Sequence, residues 1–561
     1  MRARDFLHFT ALTLGAVLIA HAQTANAAPN QEIFLSDSMV VLSPNGTVLF
    51  NNFTAAVQAL SASPDATSAQ TNVIGTAQAL AGQLNNMSGS IQGLRSQADQ
   101  GIANDVQLAN QAIAQIANIN LQLGGDPNND ATAAALEDQR DQAITQLTKL
   151  MDIRVVQGDH NQVSVFTGSG YQLVGTEAAK LSFSVSGTIT PGQQWNADPT
   201  KSTLGTISLV SASGAAVDIL ANGGIRSGEL AAYVQMRDQI LVQAQAQVDE
   251  FAGQMSRALA DQTTDGTAVT SGSQSGFSVD IGSVLPGNTV ELTYTDTTNN
   301  SQHQVTIVRV DDPAALPLSP AVAADYPGKV IGVNFTGGMA SVVSQLNAAL
   351  GSQGLQFSNP SGSVLQALNA TSARRLDSLA ATATTTALTG NVAVPLFTDG
   401  GTPFTGVVTS SGAQRTGFAG RISVNTALIA DPSKLVVYQT APPTPAGDAT
   451  RPNFMRDQLT TASFAFSPST GVGGTASSFN GTLTAFTSQV VSQQSQAAIG
   501  ANNLKQGQDM VVNALQQRFN DTSAVNVDAE MARLITLQSS YAANARVLTA
   551  VKQMFDALLQ A

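Results

Sequence analysis

The chain has 561 residues and no cysteine, and sets 25 Lys and Arg against 38 Asp and Glu, a formal net charge of −13. At roughly 150 residues per domain this length suggests about three to four domains. The lack of thiols excludes disulfides, zinc–thiolate sites, iron–sulfur clusters and thiol nucleophiles. Charged residues make up 11% and aromatics 5%, with Trp195 the single tryptophan. There is no basic face for nucleic acid, and deep aromatic-lined pockets are not expected. The profile points away from an ordinary cytosolic enzyme and towards an exported, extended or polymer-forming protein.

Arg2 and Arg4 precede an apolar run from Phe6 to Ala20 and then Ala25-Asn26-Ala27. This is the layout of a secretory signal peptide, with cleavage expected after Ala27. The other reading of residues 1–27 is an aberrant start. The run is short for a membrane span, and no other stretch is long and apolar enough to cross a bilayer.

Past an unmatched segment, 28–52, a short helix is expected over Phe53 to Ala62, stopped near Pro64. From Val73 the apolar residues step by four and three through Ala77, Leu80, Leu84, Met87, Ile91, Leu94 and Ala98. An extra four-residue step leads to Ile102, and the stripe resumes at Val106, Ala109, Ile113 and Ile116. This is a heptad pattern with one stutter, the mark of a long helix in a coiled coil or slender bundle, and an internal core is the favoured partner for its stripe. Gly124-Gly125-Asp126-Pro127 ends it, and a helix over Ala133 to Met151 turns back.

After Asp152 the period changes to two, with Val163, Val165, Leu181, Phe183, Val185, Ile207, Leu209 and Val217 alternating between Gly, Ser and Thr clusters. This predicts antiparallel β-structure over 153–228. A helix returns over 229–262 with Leu241, Ala244, Val248, Phe251 and Met255 on one stripe. The stretch 263–425 reads as an inserted β-rich outer domain holding a short helix around Met339 to Leu350. Pro442-Pro443-Thr444-Pro445 marks an irregular or β connector over 426–478. Helical spacing resumes over 479–520 at Leu483, Phe486, Val490, Ala497, Leu504, Val511 and Leu515.

The last helix, in 521–561, has Asn526 as its expected N-cap and Asp528 and Glu530 in its first turn. Leu534, Leu537, Tyr541, Asn544, Leu548, Val551, Phe555 and Leu558 step by three and four without a break. Such a stripe needs a partner, and at the chain end, after a linker-like Asn520-Asp521-Thr522-Ser523, packing against another molecule is expected. The fold class expected is α+β multidomain: a long, coiled-coil-like helical rod formed by the chain ends (53–152 and 479–520), with antiparallel β-rich domains inserted.

Candidate chemistry is sparse. His160, in Gly158-Asp159-His160-Asn161, and His303, in Ser301-Gln302-His303-Gln304, lack a second His nearby in sequence and read as turn or strand-flanking residues. Gly168-Ser169-Gly170 reads as a turn, without the spacing of a dinucleotide fingerprint. Asp152/Asp159 and Asp311/Asp312 could be cast as glycosidase carboxylates; without aromatic sugar platforms they are expected to be exposed loop acids. Asp138, Arg140 and Asp141 are expected to form ion pairs on a helix face. No catalytic, cofactor-binding or metal residue is expected, and no enzyme reading is favoured.

The segments Val525 to Glu530 and Leu537-Gln538-Ser539-Ser540-Tyr541-Ala542-Ala543-Asn544-Ala545-Arg546-Val547 resemble the C-terminal signature of flagellar rod, hook and hook-associated proteins. The ending Met554-Phe555-Asp556-Ala557-Leu558-Leu559 is similar to the hook-associated protein 1 family of hook–filament junction proteins. Phe53 to Pro64, Asp138 to Gln142 with Val163 to Gly168, and Gly228-Glu229-Leu230 to Arg237-Asp238 agree in order and spacing. Residues 1–52 match neither the amphipathic helix nor the Asn-rich motif with which family members begin. The resemblance implies a non-enzymatic structural protein outside the cell, a ring of subunits at the distal end of the hook. Implied partners are the hook protein, the second junction protein, other copies of this chain, and an export chaperone on the C-terminal helix; nucleic acid and small-molecule substrates are not implied. The alternative is a Sec-secreted surface or periplasmic protein, adhesin-like, diverged from a junction protein.

Overall fold

The computed structural model describes residues 44–125, 130–159, 161–211, 214–474, 478–523 and 527–560; for most of 504–530 and for 553–560 it describes the backbone only. The expected leader, His160 and the Asn526 cap lie outside the described residues.

Helix α1 (Pro44–Ala62) begins nine residues before the expected Phe53. Its apolar side extends back to Phe50, which is buried like Phe53, Val57 and Leu60. Pro64 breaks the helix, and the Gln70 amide donates to the Pro64 carbonyl at 2.8 Å to close the turn. Helix α2 (Thr67–Gly124) then runs for 58 residues, about 87 Å at 1.5 Å per residue. Helix α3 (Asp130–Leu150) packs back along it.

The stutter in α2 coincides with a change of partner. Val73 to Ala98 belong to a first core, and Ile102 to Ala117 belong to a second. A four-residue insertion turns a heptad stripe by about 40°, which lets one straight helix face two cores in succession. All the expected stripe residues are buried except Leu94, which is half-buried against the first core.

The second core joins α2 and α3 to two small antiparallel sheets. The first, in spatial order, has β1 (Ile153–Gln157), β2 (Val163–Thr167) and β3 (Gln172–Val174). The second has β4 (Lys180–Ser182), β5 (Ser208–Val210) and β6 (Ala216–Asp218). Two asparagines of α2 dock these sheets. Asn110 donates to the Leu181 carbonyl at 2.9 Å and accepts from its N–H at 2.8 Å. Asn120 does the same for Val163 at 2.7 and 3.1 Å. Each amide stands in for a neighbouring strand, satisfying a backbone pair that burial would otherwise leave costly.

Helix α4 (Glu229–Gln235) passes through one π-turn (Met236–Ile240) into α5 (Leu241–Ala260). The α5 stripe read from the sequence is buried in the first core. There the Phe50 and Phe251 rings meet edge-on at 5.3 Å, as do Phe53 and Phe397 at 5.7 Å.

The third core lies in the middle of the chain. One sheet has the order β12 (Lys329–Val333), β11 (Ser301–Arg309), β10 (Thr289–Asp296), β15 (Arg374–Thr384) and β7 (Asp261–Asp265), with only β11–β12 parallel. The other is β13 (Leu355–Ser358), β14 (Val364–Asn369), β9 (Gln274–Asp280) and β8 (Thr267–Ser271). Helix α6 (Gly338–Leu350) adds Val342, Leu346 and Leu350 to this core. Asn347 on α6 holds the edge residue Phe357 by both backbone groups at 2.8 Å, repeating the α2 device.

Residues between Val394 and Val436 pack into the first core rather than the third. The connector expected over 426–478 contains a helix, α7 (Thr450–Thr460), whose Met455 and Leu459 enter the same core. The helix starts past the Pro442 to Pro445 run that marks the connector, and its own Pro452 sits in the first turn, where no intrahelical N–H bond is lost. Helix α8 (Leu483–Ser523) starts in the first core through Leu483, Phe486 and Val490. Helix α9 (Val527–Gln560) completes the described chain. By contacts the chain divides into two units, one through Ala501 and the other including Asn502 onward. The architecture is a mixed α+β one, with helices and several separate, mostly antiparallel sheets.

Candidate assembly interface

Helix α9 carries the stripe named from the sequence. Leu534, Leu537, Tyr541 and Leu548 are 63%, 62%, 80% and 70% exposed, Val551 is 37% exposed, and Asn544 is exposed as well. Phe555 and Leu558 lie on the same helix, their side chains outside the described residues. At 100° per residue, Leu534 to Val551 occupy an arc of about 100°. Met531, Ile535 and Val547 are also more than half exposed, so the apolar surface is wider than the single stripe predicts. The hydroxyls of Thr536, Ser540 and Thr549 donate to carbonyls one turn back, those of Ala532, Thr536 and Ala545. Covering a side chain of Leu, Val or Met size contributes about 1.5–3 kcal/mol. A stripe of five therefore represents a drive of roughly 10 kcal/mol towards a partner surface.

Sequence reasoning did not find the ionic seam between α2 and α4. Arg237, fully buried, donates to Asp99 at 2.7 Å, to both Asp238 oxygens at 2.8 Å and to the Gly205 carbonyl at 3.1 Å. Asp99 also accepts the Ser186 N–H at 2.7 Å. Arg95, one turn earlier, donates to the carbonyls of Arg237, Thr190 and Gln193. Burial opposes the Arg237 charge, but Asp238 and Asp99 outweigh it and hold its pKa above the ordinary value. Burial lowers Arg95 to about 10. The seam ties the rod-like helix to the loops between the second sheet's strands, and its only sequence signal was the Arg237-Asp238 pair.

A second ionic joint gathers residues far apart in sequence. Arg415 pairs with Glu250 of α5 and with Asp325 of the β11–β12 connection. Glu250 accepts the Ser467 N–H at 2.9 Å, and Ser469 donates to Asp325 at 3.0 Å. Beside them a cavity of about 30 Å³ is lined by Arg257, Tyr326 and Phe404 among others, room for about one water. Next to this joint Asp249 accepts the N–H groups of Gly417 at 2.7 Å and Ala419 at 2.9 Å; burial pushes its carboxyl up to about 6 against those bonds.

The residues weighed for chemistry are scattered. Asp152, expected in an exposed loop, is buried and accepts the Arg226 N–H at 2.8 Å; it organises the entry to α4. Asp311 pairs with Arg309 at 2.8 Å, and Asp312 accepts from the Ala314 and Ser410 N–H groups. His303 lies in β11 rather than before it, stacked on Tyr294 at 5.1 Å and bonded to Ser301. Gly168 to Gly170 form the β2–β3 turn, with Gly170 at φ 96°. Arg140, expected on a helix face, is buried and donates to the Asn161 carbonyl as well as to Asp141, because a long guanidinium can reach a loop that the helix covers. An open groove of about 530 Å³ between α2 and β4 holds one charged side chain, Lys180. Among the described residues no group of three His, Asp or Glu is placed to hold a metal, and no helix is long and apolar enough to cross a membrane.

Residues 43–277 match the family model of the flagellar hook-associated protein FlgK helical domain, a span that takes in α1 to α5 and both small sheets. Residues 516–561 match the model of the flagellar basal body rod FlgEFG protein C-terminal, a span that takes in the end of α8 and all of α9. Among solved structures the chain is similar to the flagellar hook junction protein FlgK from Burkholderia pseudomallei. That similarity has 17% identity, covers 76% of this chain and 66% of that one, and has a TM-score of 0.36. A search of curated protein sequences found no match. Over residues 43–277 the chain is thus similar to the flagellar hook-associated protein helical domain, and at its C-terminal helix to the flagellar rod proteins.

Proposed function

We propose that this chain is a structural component of the bacterial flagellum, outside the cell, that joins hook to filament by subunit packing rather than catalysis. The observation that carries the reading is the exposed apolar stripe of α9, which falls inside the segment matching the rod-protein C-terminal model. In this role Leu534, Leu537, Tyr541, Asn544, Leu548, Val551, Phe555 and Leu558 form the assembly interface. The neighbours are further copies of the chain in a ring, the hook protein on one side and the second junction protein on the other. An export chaperone covers the C-terminal helix beforehand. The helices from both chain ends form a coiled-coil-like rod around the inner packing, and the β-rich domains face outward.

Low charge and abundant small residues suit this work, because close subunit packing tolerates few desolvated charges. The test is location: antibody against this chain, applied to isolated hook–filament preparations, labels a single band where hook meets filament. Label along the cell body or in the periplasmic fraction alone would overturn the assignment.

A further inference from the structure

One carboxylate in the α2–α4 seam is treated differently from its neighbours. The two helices run so that Arg95 and Asp99 meet Arg237, Gly101 meets the Tyr233 ring, and Asp105 comes opposite Glu229 and Tyr233. A Cβ at Gly101 would stand 2.8 Å from that ring, so the helices approach closely there. Asp99 is fully paired. Asp105, about two turns on, is 5% exposed, and its Oδ2 has no hydrogen-bond partner. Among the described residues no cation pairs with it. Lys180 of β4, which lines a groove with Ala103, Val106 and Gln107 of α2, is exposed to solvent, as is Lys149 of α3.

We propose that Asp105 makes the α2–α4 seam a proton-dependent joint, closed while its carboxyl is protonated and loosened when it ionises. A buried carboxylate with an unsatisfied oxygen carries a large desolvation cost, and an acid opposite adds repulsion. The protonated form avoids the repulsion and keeps only the smaller cost of a neutral polar group. Consistently, burial and then the Glu229 charge push Asp105 up to about 7. Because this lies above the value near 3.9 of an unfolded chain, the unfolded state is the one that loses its proton first as pH rises. The stabilisation is therefore complete below about pH 4 and is lost as pH rises through about 7. Tyr233, raised by burial and then by Asp105 and Glu229, stays neutral throughout this range. The joint lies where α2 passes from its first core to its second, so loosening it frees the small-sheet lobe without unfolding the first core.

The test is hydrogen–deuterium exchange with mass spectrometry on the full chain at pH 5, 6, 7 and 8, corrected for intrinsic exchange. Peptides covering 99–110 and 226–240 are read against α5 as an internal standard. In the native chain the opening constant of these peptides rises about 10- to 100-fold between pH 5 and 8, while that of α5 stays level. Asp105→Asn flattens the rise, and Glu229→Gln moves its midpoint to lower pH. A flat native profile overturns the proposal whether or not the variants fold. A rise that persists in Asp105→Asn, or that vanishes only in Glu229→Gln, overturns it as well.

Discussion

The Arg237 guanidinium meets the Asp99 carboxylate at 2.7 Å with neither side chain exposed, across 138 residues of chain. Asp99 sits in the step at which the apolar stripe of α2 changes partner, and Arg237 sits in the π-turn that joins α4 to α5. The pair therefore locks the two places where a helix departs from regular packing. Insertion of an extra residue at a π-turn is a common way to re-aim a side chain, and here the turn carries both Arg237 and Asp238.

Removing Arg237 strands both Asp99 and Asp238 in the interior, whereas removing Asp99 leaves Arg237 its pair with Asp238. Arg237→Met is expected to cost about 3–5 kcal/mol and Asp99→Ala less, measured as a lower denaturant midpoint by circular dichroism. The triple variant Asp99→Leu/Arg237→Met/Asp238→Asn is expected to recover a substantial part of the Arg237→Met loss, since it leaves no unpaired charge in the cluster. Equal losses in Arg237→Met and the triple variant would show that the cluster's geometry is incidental.

Gly228 enters α4 at φ 93°, and a Cβ placed there would lie 2.4 Å from the Leu150 carbonyl. Left-handed strain and a clash with backbone combine in one position. Gly228→Ala is expected to lower stability by about 2–4 kcal/mol, with the loss seen first in the second core. Thermal denaturation followed by near-ultraviolet dichroism reads it out.

Asn110 and Asn120 each satisfy both backbone groups of one strand residue. Truncation to alanine leaves an N–H and a C=O without partners, at about 1–3 kcal/mol per site. The ten-residue separation puts them about 15 Å apart on α2, so the double variant is expected to show additive losses. Asn120→Asp keeps the acceptor for Val163 N–H but sets a carboxylate against its carbonyl, so it should cost more than alanine. Denaturant titration of the four proteins checks the order.

How far the sequence predicted this molecule follows the range of its signals. The stutter between Ala98 and Ile102, the period change after Asp152 and the α5 stripe are periodic over many residues, and the structure contains each. Bonds between distant residues have no such trace. Arg415 and Glu250 are 165 residues apart, and nothing around either names the other. In sequence Asp152 reads as an exposed loop acid and Arg140 as part of a helix-face ion pair, whereas a backbone N–H for the first and a loop carbonyl for the second let both be buried. Helix α7 lies just past the Pro442 to Pro445 run and has too few apolar residues in its 11 positions to show a stripe. On α9 the stripe was legible, but the added exposure of Met531, Ile535 and Val547 needed coordinates.

The central claim is that the stripe of α9 is a surface for packing between molecules. Sedimentation velocity of the full chain against Leu537→Glu/Leu548→Glu, over a range of concentrations, tests it most directly. Both side chains are exposed, so the variant should keep the native thermal unfolding profile. The account predicts concentration-dependent association of the native chain and a monomer for the variant. Association that is unchanged in the variant, or a native chain that stays monomeric at every concentration, would contradict it.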